Sequence, residues 1–140
     1  MILINAEDLI VGRVASFCAK NALKGEEVVV VNAEKAILTG NKKDLLHKFQ
    51  TRINLAVKGN PMHGPKAIRM PDRLFRRAIK GMLPTKRTTG KEAFHRVKVF
   101  IAVPEEFKDK KFENLDSLKV DKSKKYMVLG TLAKLLGATW

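Results

Sequence analysis

The pattern of apolar and polar residues predicts a strand, a helix and a second strand at the start of the chain. Ile2–Asn5 is a short apolar run, as in a buried strand. Asp8 is suited to cap a following helix, and Gly25 is a natural helix stop. Glu26–Asn32 contains four consecutive valines, which predict a central parallel strand that is apolar on both faces. The helix between them has one apolar face, made of Ile10, Val14, Ala15, Cys18 and Ala22.

A short strand, an amphipathic helix and a long loop are predicted next. Ala36–Leu38 forms the strand, and a helix follows from about Asn41 to Val57. Lys58–Met70 contains two glycines and two prolines and has no periodicity, so we predict a loop that is longer than most. The inward positions of the helix are Leu45, Leu46, Phe49, Ile53 and Ala56.

Two helices and a strand are predicted after this loop. Pro71 suits the first turn of the first helix, which Gly81 and Pro84 end. Thr89–Glu92 has the spacing of a capping box and begins a short helix through His95. The apolar stripe of the first helix is Leu74, Phe75, Ala78, Ile79 and Met82, while Arg73, Arg76, Arg77 and Lys80 point away.

This order of elements predicts an α/β fold. Val97–Val103 is the last predicted strand, and the alternation of helices and strands indicates a mostly parallel sheet with helices on both sides. A chain of 140 residues fits a single domain, residues 1–140. Residues 104–140 form a charged tail that ends in a short apolar helix, Leu129–Gly137, which we expect to dock on the core.

The positive charge is concentrated in residues 58–98, inside the domain and before the last predicted strand. This segment holds twelve lysines and arginines against two acids, which is +10 of the net charge of +14. Residues 1–40 carry four basic and five acidic residues. Local self-repulsion of this size exceeds what solubility requires, and nucleic acid is the commonest polyanion that would compensate it.

Residues 81–91 have the composition of a phosphate-binding loop without its pattern. The Walker pattern places a glycine five residues before a Gly-Lys pair and a serine or threonine after it. Thr85 and Glu92 stand at those positions here, and no strand leads into the segment. A nucleotide-dependent enzyme using this turn is therefore the weaker alternative. We favour a turn whose basic side chains and free backbone N–H groups bind the phosphates of a large RNA.

The sequence predicts no cofactor, metal site or catalytic set. His47, His63 and His95 are separated along the chain, and no Ser/His/Asp set stands out. Cys18 is the single cysteine and lies on an apolar helix face, as expected of a buried structural thiol. The N-terminus lacks the features of a signal peptide, and no apolar run has the length of a membrane span. We expect an intracellular protein with no membrane contact and no small-molecule substrate.

Folded RNA is the nucleic acid that best fits the basic segment. Its two aromatic residues, Phe75 and Phe94, both fit core positions of helices, so stacking platforms for a single strand are not expected. No helix-turn-helix dimer or zinc-finger spacing is present. Many cations on helices and on a loop suit the phosphates and shape of folded RNA. A protein that compacts duplex DNA stays open as an alternative.

Several strings of residues resemble one family. Arg76–Pro84, with the sequence Arg-Arg-Ala-Ile-Lys-Gly-Met-Leu-Pro, closely resembles the L13 family of large-subunit ribosomal proteins in its archaeal form. The supporting strings are Val11–Ser16, Thr39–Lys43, Gly90–Phe94, Arg96–Phe100 and Leu129–Leu132. The resemblance implies a three-layer α/β/α fold with a mostly parallel, four-stranded sheet. It also implies a non-catalytic protein that binds large-subunit (23S-type) rRNA beside neighbouring ribosomal proteins, in cytoplasmic ribosomes, and supports subunit assembly.

The candidate RNA-binding residues are the basic residues of the cationic face and its surroundings. We expect most phosphate contacts from Arg69, Arg73, Arg76, Arg77, Lys80, Lys86, Arg87, Lys91 and Arg96. The further candidates are Arg13, Lys42, Lys43, Arg52, Lys58 and Lys66.

Overall fold

Helices and strands alternate along the chain, and the computed structural model describes residues 1–121 and 123–140. The strands in these ranges are β1 (Ile2–Asn5), β2 (Val28–Val31), β3 (Ile37–Thr39), β4 (Val97–Val99) and β5 (Tyr126–Val128). The α-helices are α1 (Val11–Leu23), α2 (Lys42–Asn54), α3 (Pro71–Met82), α4 (Thr88–His95) and α5 (Leu129–Leu135). The mixed α/β class and the predicted element order from β1 to β4 are confirmed.

The valine-rich strand β2 lies at the centre of a three-stranded parallel sheet. It pairs with β1 on one side and with β4 on the other, so that Val30 lies opposite both Ile4 and Val99. All four valines of β2 are buried. Side chains alternate between the two faces of a strand. The alternate valines accordingly belong to two separate hydrophobic clusters, which confirms the prediction of a strand that is apolar on both faces.

Different kinds of structure cover the two faces of the sheet. The larger cluster includes buried residues from α1, α3, α4 and α5, among them Val14, Phe75, Ala93 and Leu132. The smaller cluster is completed by Leu3 and Phe107, with Phe100, Val103 and Phe112 partly buried beside it. Its cover is therefore the chain after β4, which forms a 3-10 turn at Glu105–Phe107. Helices on both faces, and hence the three-layer arrangement, are not confirmed.

Strand β3 pairs with β5, which the sequence analysis did not predict. The two strands are antiparallel, with Ile37 opposite Val128 and Thr39 opposite Tyr126. The parallel sheet thus has three strands among the described residues, and the predicted fourth is not confirmed. Strand β4 ends at Val99, earlier than the predicted Val103, and it is not the last strand.

The C-terminus of α1 follows the prediction. Gly25 has φ +98°, a left-handed conformation that glycine adopts without steric cost. Its N–H donates to the carbonyl of Ala22, and the N–H of Glu26 donates to the carbonyl of Asn21. These two bonds make a Schellman motif, which satisfies the last carbonyls of the helix.

The N-terminus of α1 differs from the prediction. Asp8 does not cap the helix, because it lies before the cap position, with φ +59°. Ile10 is the N-cap residue and makes no side-chain cap. The chain bends at Asp8 because Leu9 turns into the core, where it is buried, and its carbonyl accepts a bond from the Ile37 N–H.

The C-terminal helix α5 docks on the core, as predicted. Leu129, Leu132 and Ala133 are buried, whereas Leu135 on the opposite side is 59% exposed. The buried residues belong to the same cluster as those of α1 and α3. Among the described residues, no helix combines the length and the apolar character that a bilayer crossing requires.

Candidate nucleic-acid interface

Helix α3 has a core face and a basic face. Leu74, Phe75 and Ile79 are buried, and Pro71 stands at the first helical position, as predicted. Arg73, Arg77 and Lys80 are exposed. These basic residues recur at intervals of three and four, which places them on one side of a helix. Burial of the apolar face against the core therefore fixes the direction in which the basic face points.

Five basic side chains line one cleft of about 630 Å³ beside α3. Four of them come from α3 and the fifth, Lys66, comes from the loop before it. Ile68 and Phe94 complete the lining, which includes no acidic residue. Among the described residues, none of the five forms an ion pair with a carboxylate. The five basic residues are Lys66, Arg73, Arg76, Arg77 and Lys80.

Arg76 and Phe94 are the half-buried basic and aromatic members of this lining. The Arg76 Cζ lies 4.5 Å from the centroid of the Phe94 ring, and the Lys80 Nζ lies 5.8 Å from it. The sequence predicts that Arg76 points away from the core and that Phe94 occupies a core position. Phe94 packs against the core cluster and is only half-buried, and Arg76 is half-buried beside it, so the two side chains meet at the edge of the core.

The position of Arg76 carries a cost as well as a gain. A cation over an aromatic ring contributes about 0.5–2 kcal/mol, depending on its exposure. The Nε of Arg76 is buried and has no hydrogen-bond partner among the described residues. A buried donor without a partner costs about 1–3 kcal/mol. Stability alone therefore gives little reason for an arginine at this position.

Arg77 joins the cleft to two smaller cavities near α2. One, of about 250 Å³, has a mainly apolar lining that includes Phe49, Ile53 and Leu74. The other, of about 350 Å³, is lined by Arg52, Lys66 and Arg77 together with apolar residues. Arg52 lines both, and its Cζ lies 5.6 Å from the Phe49 ring centroid. We call the six residues Arg52, Lys66, Arg73, Arg76, Arg77 and Lys80 the basic surface.

Helix α2 packs less tightly than the other helices. It has no buried residue. The four predicted inward positions that lie within it are half-buried, and Ala56 is exposed beyond its end. The prediction of Ala56 as an inward residue is wrong, because the helix stops at Asn54.

Arg96 has a structural contact that the sequence analysis missed. Its Nη2 lies 3.7 Å from the carboxylate of Glu92, and its Nη1 donates to the carbonyl oxygen of Ala22 at 3.4 Å. Ala22 is in the last turn of α1, where a cation interacts favourably with the helix dipole. Arg96 thus links the end of α4 to the end of α1.

The other candidate residues are exposed but do not line the cleft. Arg69 lies just before α3, and its side chain lies beside Gly137. A Cβ atom placed on Gly137 would be 3.5 Å from the Arg69 Nη1. The remaining candidates lie on other elements: Arg13 on α1, Lys42 and Lys43 in the first turn of α2, Lys58 in the loop, Lys86 and Arg87 in the turn before α4, and Lys91 within α4.

Comparison with known proteins identifies the family. Residues 1–106 match the family model described as "Ribosomal protein L13". The chain belongs to this family. It is 45% identical over 139 residues to the "Large ribosomal subunit protein uL13" of Methanococcus maripaludis, covering 99% of this chain and 98% of that protein. The protein of the same name from Haloarcula marismortui is 40% identical over 143 residues, covering 99% of this chain and 94% of that protein. The resemblance inferred from the Arg76–Pro84 string is confirmed.

The turn between α3 and α4 of this L13 family member differs from a Walker loop. It follows a helix, whereas the Walker pattern follows a strand. The Arg87 N–H donates to the carbonyl of Pro84 at 3.0 Å. Gly90 packs so closely against the same carbonyl that a Cβ atom would collide with it. The turn therefore lacks the strand and the open glycine loop of a Walker motif.

The start of α4 also differs from the prediction. Its N-cap residue is Arg87, which makes no side-chain cap, so Thr88 and Thr89 already belong to the helix. The capping box predicted at Thr89–Glu92 is therefore wrong. The apolar stripe of α3 also ends differently from the prediction. Met82, which was predicted to belong to the stripe, is 44% exposed, and Leu83 is buried instead.

Cys18 is a buried structural thiol, as predicted. Burial raises the pKa of its thiol from 9.0 to about 12, and the charge of Glu113 adds to this shift. The reactive thiolate is therefore scarce at neutral pH. Among the described residues, no group of three histidine, cysteine or acidic side chains is placed to hold a metal ion.

Proposed function

We propose that this protein is a structural constituent of the large ribosomal subunit that binds large-subunit rRNA through the basic surface. It supports subunit assembly, contacts neighbouring ribosomal proteins, and works in cytoplasmic ribosomes without catalysis or a cofactor. The family supports this role, since the relatives that cover nearly the whole chain are named as large ribosomal subunit proteins.

One observation carries the RNA-binding part of the proposal: among the residues that the structure describes, the cleft has five basic side chains and no carboxylate to balance them. Cations held this close repel one another, and water only partly screens the repulsion. Phosphates remove it, and the counterions that they release favour binding. A polyanion of regularly spaced phosphates is thus the partner that suits the cleft.

We extend the interface beyond the basic surface to the other exposed candidates. Lys42 and Lys43 occupy the first turn of α2 together with one acid, Asp44, so the net charge of this turn is positive and opposes the helix dipole. A phosphate at this position removes the conflict. Arg13, Lys58, Arg69, Lys86, Arg87 and Lys91 add further phosphate contacts. Arg96 contributes less than expected, because Glu92 and Ala22 already hold its guanidinium.

We also propose that residues 1–140 form one domain, with the basic segment 58–98 built into it. The support is that β5 and α5, from the predicted tail 104–140, pack in the same cluster as the first helix. The three-layer arrangement and the four-stranded sheet remain predictions.

The test is a titration of large-subunit rRNA at different salt concentrations. If six to ten phosphates are bound, affinity should fall by about 10³–10⁵ between 50 and 200 mM salt. Changing Arg73, Arg77 and Lys80 to glutamine should lower the slope of log K against log salt by about 2–3. The matched control changes Lys110, Lys111 and Lys125, which are exposed outside residues 58–98.

A flat salt response contradicts RNA binding through phosphates. An equal loss in both triple variants contradicts the location of the interface. Duplex DNA that binds as tightly as rRNA would favour the DNA-compacting alternative. Co-sedimentation with large subunits at high salt separates a built-in constituent from a loosely associated basic protein.

A further inference from the structure

The cleft beside α3 has the size of a small-molecule site. Its volume of about 630 Å³ lies within the range of roughly 300–1,000 Å³ that is typical of such pockets. An A-form helix is too wide to enter a cleft of this size, and its bases are stacked inside it. A single nucleotide that has left its helix can enter.

The lining residues are arranged in two zones. Lys66, Arg73 and Lys80 are exposed, so their charged ends can contact phosphates. Arg76 and Phe94 are half-buried and belong to the edge of the core. A ligand that has an anionic part and a planar apolar part matches this division.

Arg76 offers a flat surface for the planar part. The Phe94 ring, 4.5 Å from its Cζ, occupies one side of the guanidinium. Arg76 also lines the cleft, and stacking of a base there requires the opposite side of its guanidinium to face the cleft. Bases that are splayed out of an RNA stack on aromatic rings and on guanidinium planes. Lysine has neither the plane nor the delocalised charge that this contact uses.

We propose that the cleft binds one unpaired nucleotide of the RNA, with the base stacked on Arg76 and the neighbouring phosphates held by Lys66, Arg73 and Lys80. The inference rests on the proposed RNA-binding function and adds the feature of the RNA that this protein recognises. The protein then prefers a helix with a bulged nucleotide over a fully paired one.

The experiment compares three RNA duplexes that share one sequence. The first is fully paired, the second carries one unpaired 2-aminopurine nucleotide, and the third carries an abasic nucleotide at the same bulge. The 2-aminopurine duplex should bind about 5- to 150-fold more tightly than the other two, the range expected when one base stacks. Its fluorescence should change on binding, because the base exchanges its neighbours in the RNA for the protein surface.

Two variants test the platform. Arg76→Lys keeps the charge and removes the plane, and Phe94→Leu keeps an apolar side chain and removes the ring. Both should lower the ratio of the affinity for the 2-aminopurine bulge to the affinity for the paired duplex, whatever their effect on the affinity for the paired duplex itself. The binding data for Phe94→Leu are interpreted only if its circular dichroism spectrum matches that of the unaltered protein. If the spectra differ, Arg76→Lys alone tests the platform.

Arg52→Lys is the matched control. Arg52 also lies over a phenyl ring, that of Phe49, but does not line the cleft. This change should alter the affinities for all three RNAs by one factor and preserve their ratio.

The outcomes separate this inference from the proposed function. Equal binding of the three duplexes, or unchanged fluorescence, overturns the nucleotide site while salt-dependent binding of rRNA still supports the proposed function. An abasic bulge that binds as well as the 2-aminopurine bulge overturns the stacking of the base. Failure to bind any RNA at low salt overturns both.

Discussion

Arg76 shows how one side chain belongs both to the core edge and to the binding surface. Its aliphatic stem and guanidinium are half-buried against Phe94. Its neighbour Arg77 is exposed and joins the cleft to the cavities near α2. The two adjacent arginines therefore have different structural roles, although their charges are the same.

A double-mutant cycle should detect this difference. Arg76→Met and Phe94→Leu, made singly and together, should show a coupling of about 0.5–1 kcal/mol in the free energy of unfolding. Urea denaturation measures the four proteins. The same cycle with Arg77→Met should show no coupling, because Arg77 does not lie over the ring. Equal coupling in both cycles would contradict the Arg76–Phe94 contact.

At the scale of elements, the turn between α3 and α4 depends on one glycine. The backbone of Gly90 touches the carbonyl of Pro84 too closely for any side chain. Gly81, in α3, faces open space. Since both glycines lie in helices, a change to alanine isolates the effect of the close approach.

We predict opposite effects of these two changes on stability. Gly90→Ala should lower the free energy of unfolding by about 1–3 kcal/mol, the usual cost of overpacking. Gly81→Ala should raise it by roughly 0.5–1 kcal/mol, because alanine is the better helix former. Thermal unfolding of both variants measures these changes in stability. Destabilisation by Gly81→Ala, or a neutral Gly90→Ala, would contradict the described turn.

The sequence predicted the elements that have strong local patterns and missed those that depend on distant partners. Four consecutive valines were enough to identify β2 as the central strand. Strand β5 has only three residues, and its pairing with β3 depends on residues that are far apart in the chain. No local pattern reveals such a pairing.

The candidate interface was also predicted only in part. Charge density pointed to five of the six residues of the basic surface, because a cluster of cations is visible in the sequence itself; Arg52 lies outside residues 58–98. The half-buried contact of Arg76 with Phe94 was missed, since helical periodicity assigned one residue to the surface and the other to the core. The link from Arg96 to Ala22 joins two helices and has no local pattern either.

At the scale of the whole molecule, charge is distributed unevenly. A net charge of +10 lies in residues 58–98, out of +14 for the chain. Self-repulsion of this kind destabilises a compact state, and salt screens it. Salt should therefore stabilise the protein and weaken its binding to RNA.

The effect of salt on stability can be measured in the free protein. Raising the salt concentration from about 20 to 300 mM should raise Tm by about 3–5 °C, equivalent to ~1 kcal/mol for a chain of this size. The variant with Arg73, Arg77 and Lys80 changed to glutamine should show a smaller rise. A Tm that falls with salt would mean that attractive ion pairs outweigh the repulsion.

The pairing of β3 with β5 has a consequence for synthesis. Residues 126–128 are made long after Ile37–Thr39, so β3 lacks its partner while the residues between the two strands are being produced. Contacts between remote segments also form slowly once both are present. The nascent chain therefore exposes an unpaired strand edge together with its cationic segment until β5 has been made, and we expect this part of the fold to form only afterwards.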